Sequence, residues 1–137
     1  MSEVVIEISW PSVKLMPNRA YGRSWVSTYA ARQQYRAEGY AVAREKLTPG
    51  CCPSDAHYSL RIVLHAPDKR VRDLDGLFGA LKNALDGIAD ALGVNDSHFA
   101  ECSIVRGEPV KGGRVVINIS KLPDNHSPVR YINGNDE

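Results

Sequence analysis

RDLDGLFGALKNALDGIADALG, residues 72–93, decides how the chain folds. Within it Leu77, Phe78, Leu81, Leu85, Ile88 and Leu92 recur at steps of three and four. That spacing lines one face of a helix and predicts a helix over residues 76–92, with Gly93 as its C-terminal stop. Just ahead of it stand Asp73 and Asp75, directly behind Lys69, Arg70 and Arg72. Two readings of the pair are open. Aspartate is a favoured helix N-cap, but a first-turn acid gains only ~0.3–1 kcal/mol from the helix dipole, which explains one carboxylate better than two. Alternatively, residues i and i+2 of an extended segment project to the same side about 6–7 Å apart, and both carboxylates reach one hard divalent cation. Asp96, in the VNDSHF segment beyond the helix, offers a third carboxylate. It returns to the pair only if the chain doubles back antiparallel and the next strand pairs near the strand ahead of the aspartates.

HYSLRIVLHA (residues 57–66) precedes the aspartates and reads as a strand with Tyr58, Leu60, Ile62 and Leu64 on one face, ended by Pro67. Val4, Ile6, Ile8 and Trp10 alternate with Glu3, Glu7 and Ser9, which predicts a first strand over residues 3–10. The segment from Pro11 to Trp25 breaks regularity and interleaves Lys14, Arg19 and Arg23 with Tyr21 and Trp25, a loop suited to phosphates and bases or, through Trp25, to anchoring the next helix. That helix runs from a Ser27 or Thr28 cap to about Leu47 and stops at Thr48-Pro49-Gly50. Two further strands are predicted near residues 100–107 and 114–121, with Lys111-Gly112-Gly113 as a hairpin turn between them. The expected fold is a single α/β (α+β) domain over residues 1–122, in the order β-α-β-α-β-β, with a mixed sheet packed against two main helices. The tail, residues 123–137, has little to bury and is expected to be mobile.

Length and composition agree with one soluble domain: 137 residues, 43% hydrophobic and 24% charged, with no apolar run long enough to cross a bilayer. The N-terminal ten residues lack the basic and apolar regions of a signal peptide, so a cytoplasmic location and no membrane partner are expected. Cys51, Cys52 and Cys102 make no closed disulfide set and are read as free thiols. The net charge of +1 hides a division. Residues 11–50 carry seven Lys or Arg against two acids, residues 73–101 six acids against Lys82, and residues 102–121 four bases against Glu108. An acidic centre between basic flanks suits a metal-dependent enzyme acting on a polyanion, and equally suits solvated faces of differing charge.

PDKRVRDLDG, the Ala84-Leu85 pair in the helix after it, VND and then EPVKGGRVVINI together resemble the RusA family of Holliday junction resolvases. The similarity runs from the first strand to about Leu122, with the segments in the family's order and near its spacing. The resemblance implies a homodimeric nuclease that cuts four-way and other branched DNA. It also implies Mg²⁺, with Mn²⁺ as the alternative ion, on the matched acids Asp73, Asp75 and Asp96. On this reading Lys69, Arg70 and Arg72 hold the phosphates flanking the cut, while Lys111 and Arg114 guide other arms. The chain departs from the family in three places: Gly76 replaces an Asn after the acidic pair, Gly79 replaces a catalytic Lys, and Asn95 precedes Asp96 where two acids are usual. Lys82, three residues further along the helix, is the candidate replacement for the lysine and otherwise a solvent-facing residue. His65 and His98 stay outside the catalytic set, as histidines satisfied by a hydrogen bond. Two rival readings remain: a branched-DNA-binding module without nuclease activity, suggested by Gly76 and Gly79, and a phosphohydrolase of free nucleotides.

Overall fold

The computed structural model describes residues 3–16, 25–46, 56–94 and 96–123. Strand β1 (Val4–Ile8) is followed by a 3-10 turn (Val13–Leu15), helix α1 (Trp25–Lys46), strand β2 (Tyr58–His65) and helix α2 (Leu74–Leu92). A second 3-10 turn (Asp96–His98) leads into β3 (Phe99–Arg106), and β4 (Arg114–Lys121) completes the order. The expected α+β domain with a mixed four-stranded sheet and two helices is what forms. Arg19, Tyr21, Arg23, Cys51, Cys52 and the tail beyond Pro123 lie outside the described residues.

The strand order is β1-β4-β2-β3. β4 runs antiparallel to both β1 and β2, whereas β3 runs parallel to β2. A parallel neighbour needs a long crossover, and α2 supplies it, making β2-α2-β3 one βαβ unit. The pairing corrects one expectation. Gly112 and Gly113 do take positive φ, 80° and 72°, but β3 and β4 form no hairpin, because β2 lies between them. The connection crosses the end of β2 and is held there, with Gly107 N–H donating to Leu64 O at 2.9 Å and Val110 N–H to Ala66 O at 2.8 Å.

One face of the sheet is apolar because side chains alternate along each strand. Ile6 and Ile8, Tyr58, Leu60, Ile62 and Leu64, and Val115, Ile117 and Ile119 are all buried, together with Leu77, Leu81, Leu85, Ile88 and Leu92 of α2. The opposite face carries Glu7, Arg61 and Arg114. The helices pack closely at two glycines: a Cβ on Gly39 would run into the Ala84 carbonyl oxygen, and one on Gly87 into that of Arg36. Arg36 then reaches Asp90 with an ion pair of 2.8 Å across the same interface. Replacing Gly87 with alanine is expected to destabilise the fold by about 1–3 kcal/mol, the usual cost of overpacking against backbone that cannot yield. A thermal melt lowered by several degrees checks this.

Three boundaries differ from the periodicity. β1 ends at Ile8 because Ser9 is taken by α1: its N–H and hydroxyl both donate to Glu38 at 2.7 Å, and its carbonyl accepts from the Tyr35 hydroxyl at 2.8 Å. Burial and the neighbouring Glu38 charge push the Tyr35 hydroxyl far above its ordinary pKa, so it remains a donor. α1 begins at Trp25, ahead of the anticipated Ser27 or Thr28 cap. α2 begins at Leu74, two residues before the apolar face would require.

Candidate functional site

β2 points its C-terminal end at the segment from Ala66 to Asp73, from which α2 turns back across the sheet. The register shows what else reaches that end. Leu64 pairs with Arg106 at the end of β3, His65 with Arg114 at the start of β4, and Ile8 with Val115. Lys69, Arg70, Arg72 and Arg106 therefore line one cavity with Leu77 beside the N-terminus of α2, where Asp73 and Asp75 stand, while Arg114 begins β4 at the same end of the sheet but on the face away from the helices.

Asp73 occupies the N-cap position in extended backbone (φ −78°, ψ 125°), yet its side chain makes no capping hydrogen bond. Asp75 lies in the first helical turn, and both residues are exposed. Among the described residues neither carboxylate enters an ion pair. The capping reading thus leaves the Asp73 oxygens unused and assigns Asp75 only the weak dipole interaction. Because the helix starts at Leu74, only Asp73 keeps the extended geometry expected of both.

The arginines are organised by a residue that the sequence reading passed over. Asp68 accepts from the Arg70 N–H at 3.0 Å and from the Arg70 guanidinium at 3.1 Å, and it pairs with Arg72 at 2.9 Å. Arg72 also donates to the Asp68 and Arg70 carbonyls at 3.3 and 3.1 Å and lies over the Trp10 ring, 5.7 Å from its centre. Hydrogen bonds from the Arg70 side chain and backbone, and then from Arg72, hold the Asp68 carboxyl well below the usual carboxylate range. A depressed value means the clamp is charged at neutral pH and is lost only as pH falls through that low value. The available signal was the D-x-R-x-R spacing, in which an Asp side chain bonds its own backbone two residues on. Arg106 was also missed, because only the parallel pairing of β3 brings it to this edge. Arg114 is partly engaged, donating to Glu7 at 2.9 Å.

Asp96 is not part of this cluster within one chain. It begins the 3-10 turn after α2, and α2 has 19 residues. A helix of that length rises roughly 28 Å, so Asp96 sits at the far end from Asp73. The sheet agrees: Phe99 pairs with Tyr58 at the start of β2, and His98 stacks on His57 with ring centres 5.7 Å apart. The return that would have reunited the three acids does not occur, because only three residues separate Leu92 from Asp96 and β3 starts beside the start of β2. Among the described residues no group of three His, Cys, Asp or Glu is placed to hold a metal ion. Lys82 is exposed and lies seven residues beyond Asp75, about 10 Å along the axis on nearly the same face, with Phe78, Asp86 and Cys102 around it. His65 Nδ1 lies 2.9 Å from the Glu108 carbonyl, in keeping with a structural role. No described helix is long and apolar enough to cross a membrane.

No family model matches the chain. It is 30% identical to an uncharacterized protein of Xylella fastidiosa over 118 residues, which cover 85% of this chain and 76% of that protein. It is 36% identical over 64 residues to the crossover junction endodeoxyribonuclease rusA of Enterobacteria phage HK97. That match covers 46% of this chain and 51% of the phage protein, about half of each. The chain therefore belongs to one family with the Xylella fastidiosa protein, and across about half its length it bears a RusA-like relationship to the phage nuclease.

Proposed function

We propose that the protein is a Mg²⁺-dependent endonuclease that resolves four-way and other branched DNA, working as a homodimer. The observation that carries this is the pair of carboxylates, Asp73 and Asp75, which enter no ion pair among the described residues and stand at the start of α2 beside the cations Lys69, Arg70, Arg72 and Arg106. A capping pair needs no such cations, and a phosphate-binding patch alone gains nothing from two acids beside it. Exposed carboxylates two residues apart offer the oxygen donors that Mg²⁺ prefers, and they fit it. When bound, the ion supplies Lewis-acid charge at a phosphate and a more acidic water. The chain's own part is positioning: Lys69, Arg70 and Arg72 hold the phosphates beside the cut, and Arg106, Lys111 and Arg114 extend the track to neighbouring arms.

Asp96 completes the acidic set from the second copy. With roughly one helix length between Asp73 and Asp96 in each chain, a two-fold axis that lays the α2 ends of two copies head to tail brings each Asp96 to the other's pair. Two sites then form, one for each strand cut of a symmetric junction. Incubation of the full chain with a synthetic four-way junction and Mg²⁺ tests the reading, with paired symmetric nicks expected. Tight binding without product would instead assign a DNA-binding module, the outcome that Gly79 in place of a lysine favours. Hydrolysis of free nucleotides without DNA affinity would overturn both.

Phosphate contacts make binding salt-dependent, at a log–log slope of about 0.9 per phosphate neutralised. Replacing exposed Lys69 with alanine is therefore expected to weaken junction binding equally across sequences and to lower that slope by about 1, measured by titration at several salt concentrations.

A further inference from the structure

Val71 is 95% exposed, against 58% for Val13 and 47% for Val5. A hydrophobic side chain so far into water is ordinarily found on a loose loop, but this loop is braced on both sides of it. The Arg70 N–H is held by Asp68 at 3.0 Å, and Arg72 donates to the carbonyls of Asp68 and Arg70 at 3.3 and 3.1 Å. The Val71 tip therefore projects from a fixed backbone. Beneath it a cavity of about 490 Å³ opens between the loop and the ends of β2 and β3. Its walls include Trp10, Leu64, Leu77 and Pro109, while Lys69, Arg70 and Arg106 contribute cations.

We propose that this cavity receives one unpaired nucleobase from the branch point of the DNA, with Val71 parting it from its former stacking neighbour. The inference rests on the reading of the protein as one that acts on branched DNA. Apolar walls with cations beside them match a base whose flat faces are apolar and whose sugar links two phosphates. The volume falls within the ~300–1,000 Å³ of small-molecule sites. A linear duplex must spend a few kcal/mol on unstacking and unpairing to present such a base, and a base already unpaired at a branch needs far less. The cavity is thus a source of preference for branched over linear DNA, a discrimination that phosphate contacts cannot supply. Apolar side chains that part base steps act by the same physics.

The test uses the full chain, Ca²⁺ in place of Mg²⁺ to hold the complex uncut, and four-way junctions carrying 2-aminopurine singly at each position flanking the crossover. A several-fold fluorescence rise is expected at one of these positions and none on a linear duplex of the same sequence. Val71→Ser is expected to abolish most of the rise and to lower the ratio of junction to duplex affinity about tenfold, the 1.4 kcal/mol scale of one modest apolar contact. Duplex affinity and the thermal melt should stay as in the unaltered chain, and Val71→Met should retain the rise. Junction nicking by the unaltered chain with no rise at any position, or an unchanged affinity ratio in Val71→Ser, overturns the pocket and leaves the nuclease reading standing. A chain that neither binds nor cuts branched DNA overturns both.

Discussion

Asparagine in place of Asp75 is expected to abolish Mg²⁺-dependent cleavage of a four-way junction while junction binding stays equal or tightens. The side chain is nearly isosteric, exposed and in no ion pair among the described residues, so the fold should lose no more than the ~0.3–1 kcal/mol of its dipole interaction. What disappears is one anionic oxygen donor to a hard cation. An amide oxygen carries no net charge, and the several kcal/mol that a divalent ion contributes at a phosphate corresponds to a loss of about 10²–10⁴-fold in rate. Binding moves the other way, because a negative charge beside Lys69, Arg70 and Arg72 has been removed from the path of the phosphates. The two readouts therefore separate, which a misfolded variant would not allow. Parallel assays of junction nicking and of junction binding in Ca²⁺ provide the check. Full cleavage by the variant would show that the acidic pair is a helix-start feature and nothing more.

The sequence made some of this visible and withheld the rest for identifiable reasons. Periodicity names an element and its buried face, and it did so for Leu77 through Leu92 and for Tyr58 through Leu64, while β4 was placed over residues 114–121 without a face. It does not name the partner of a strand. β3 is largely exposed, with Glu101, Cys102 and Ser103 all at the surface, since it is an edge strand paired only to β2. Its local pattern fits an antiparallel hairpin to β4 as readily as the parallel pairing observed. Asp96 is placed by α2 itself: four positions past Leu92, it stays at the helix end away from Asp73 whichever strand β3 joins. The cationic edge was legible in part: Lys69, Arg70 and Arg72 are contiguous with the aspartates, but Arg106 joins them only through the βαβ crossover. Asp68 escaped notice because an acid among arginines lowers the apparent charge of the motif, whereas in space it fixes where those arginines point.

A mixture of two inactive variants, Asp75→Asn and Asp96→Asn, is expected to recover nicking activity that neither shows alone. If each site takes Asp73 and Asp75 from one copy and Asp96 from its partner, a mixed dimer holds one site with both substitutions and one with neither. Random exchange makes half of all dimers mixed, so about a quarter of the original sites should return. The product should also change. A mixed dimer cuts a single strand of the junction, and singly nicked junctions should accumulate in place of the paired cuts of the unaltered protein. If all three acids instead served the same chain, every site in the mixture would carry one substitution and no activity would return. The distance along α2 excludes a site built from one chain: 19 helical residues place the ends roughly 28 Å apart, far beyond the few ångströms over which carboxylates share a cation. Recovery after mixing, absent from each variant alone, would thus establish both the dimer and the division of its sites, and continued inactivity would remove Asp96 from the metal-binding set.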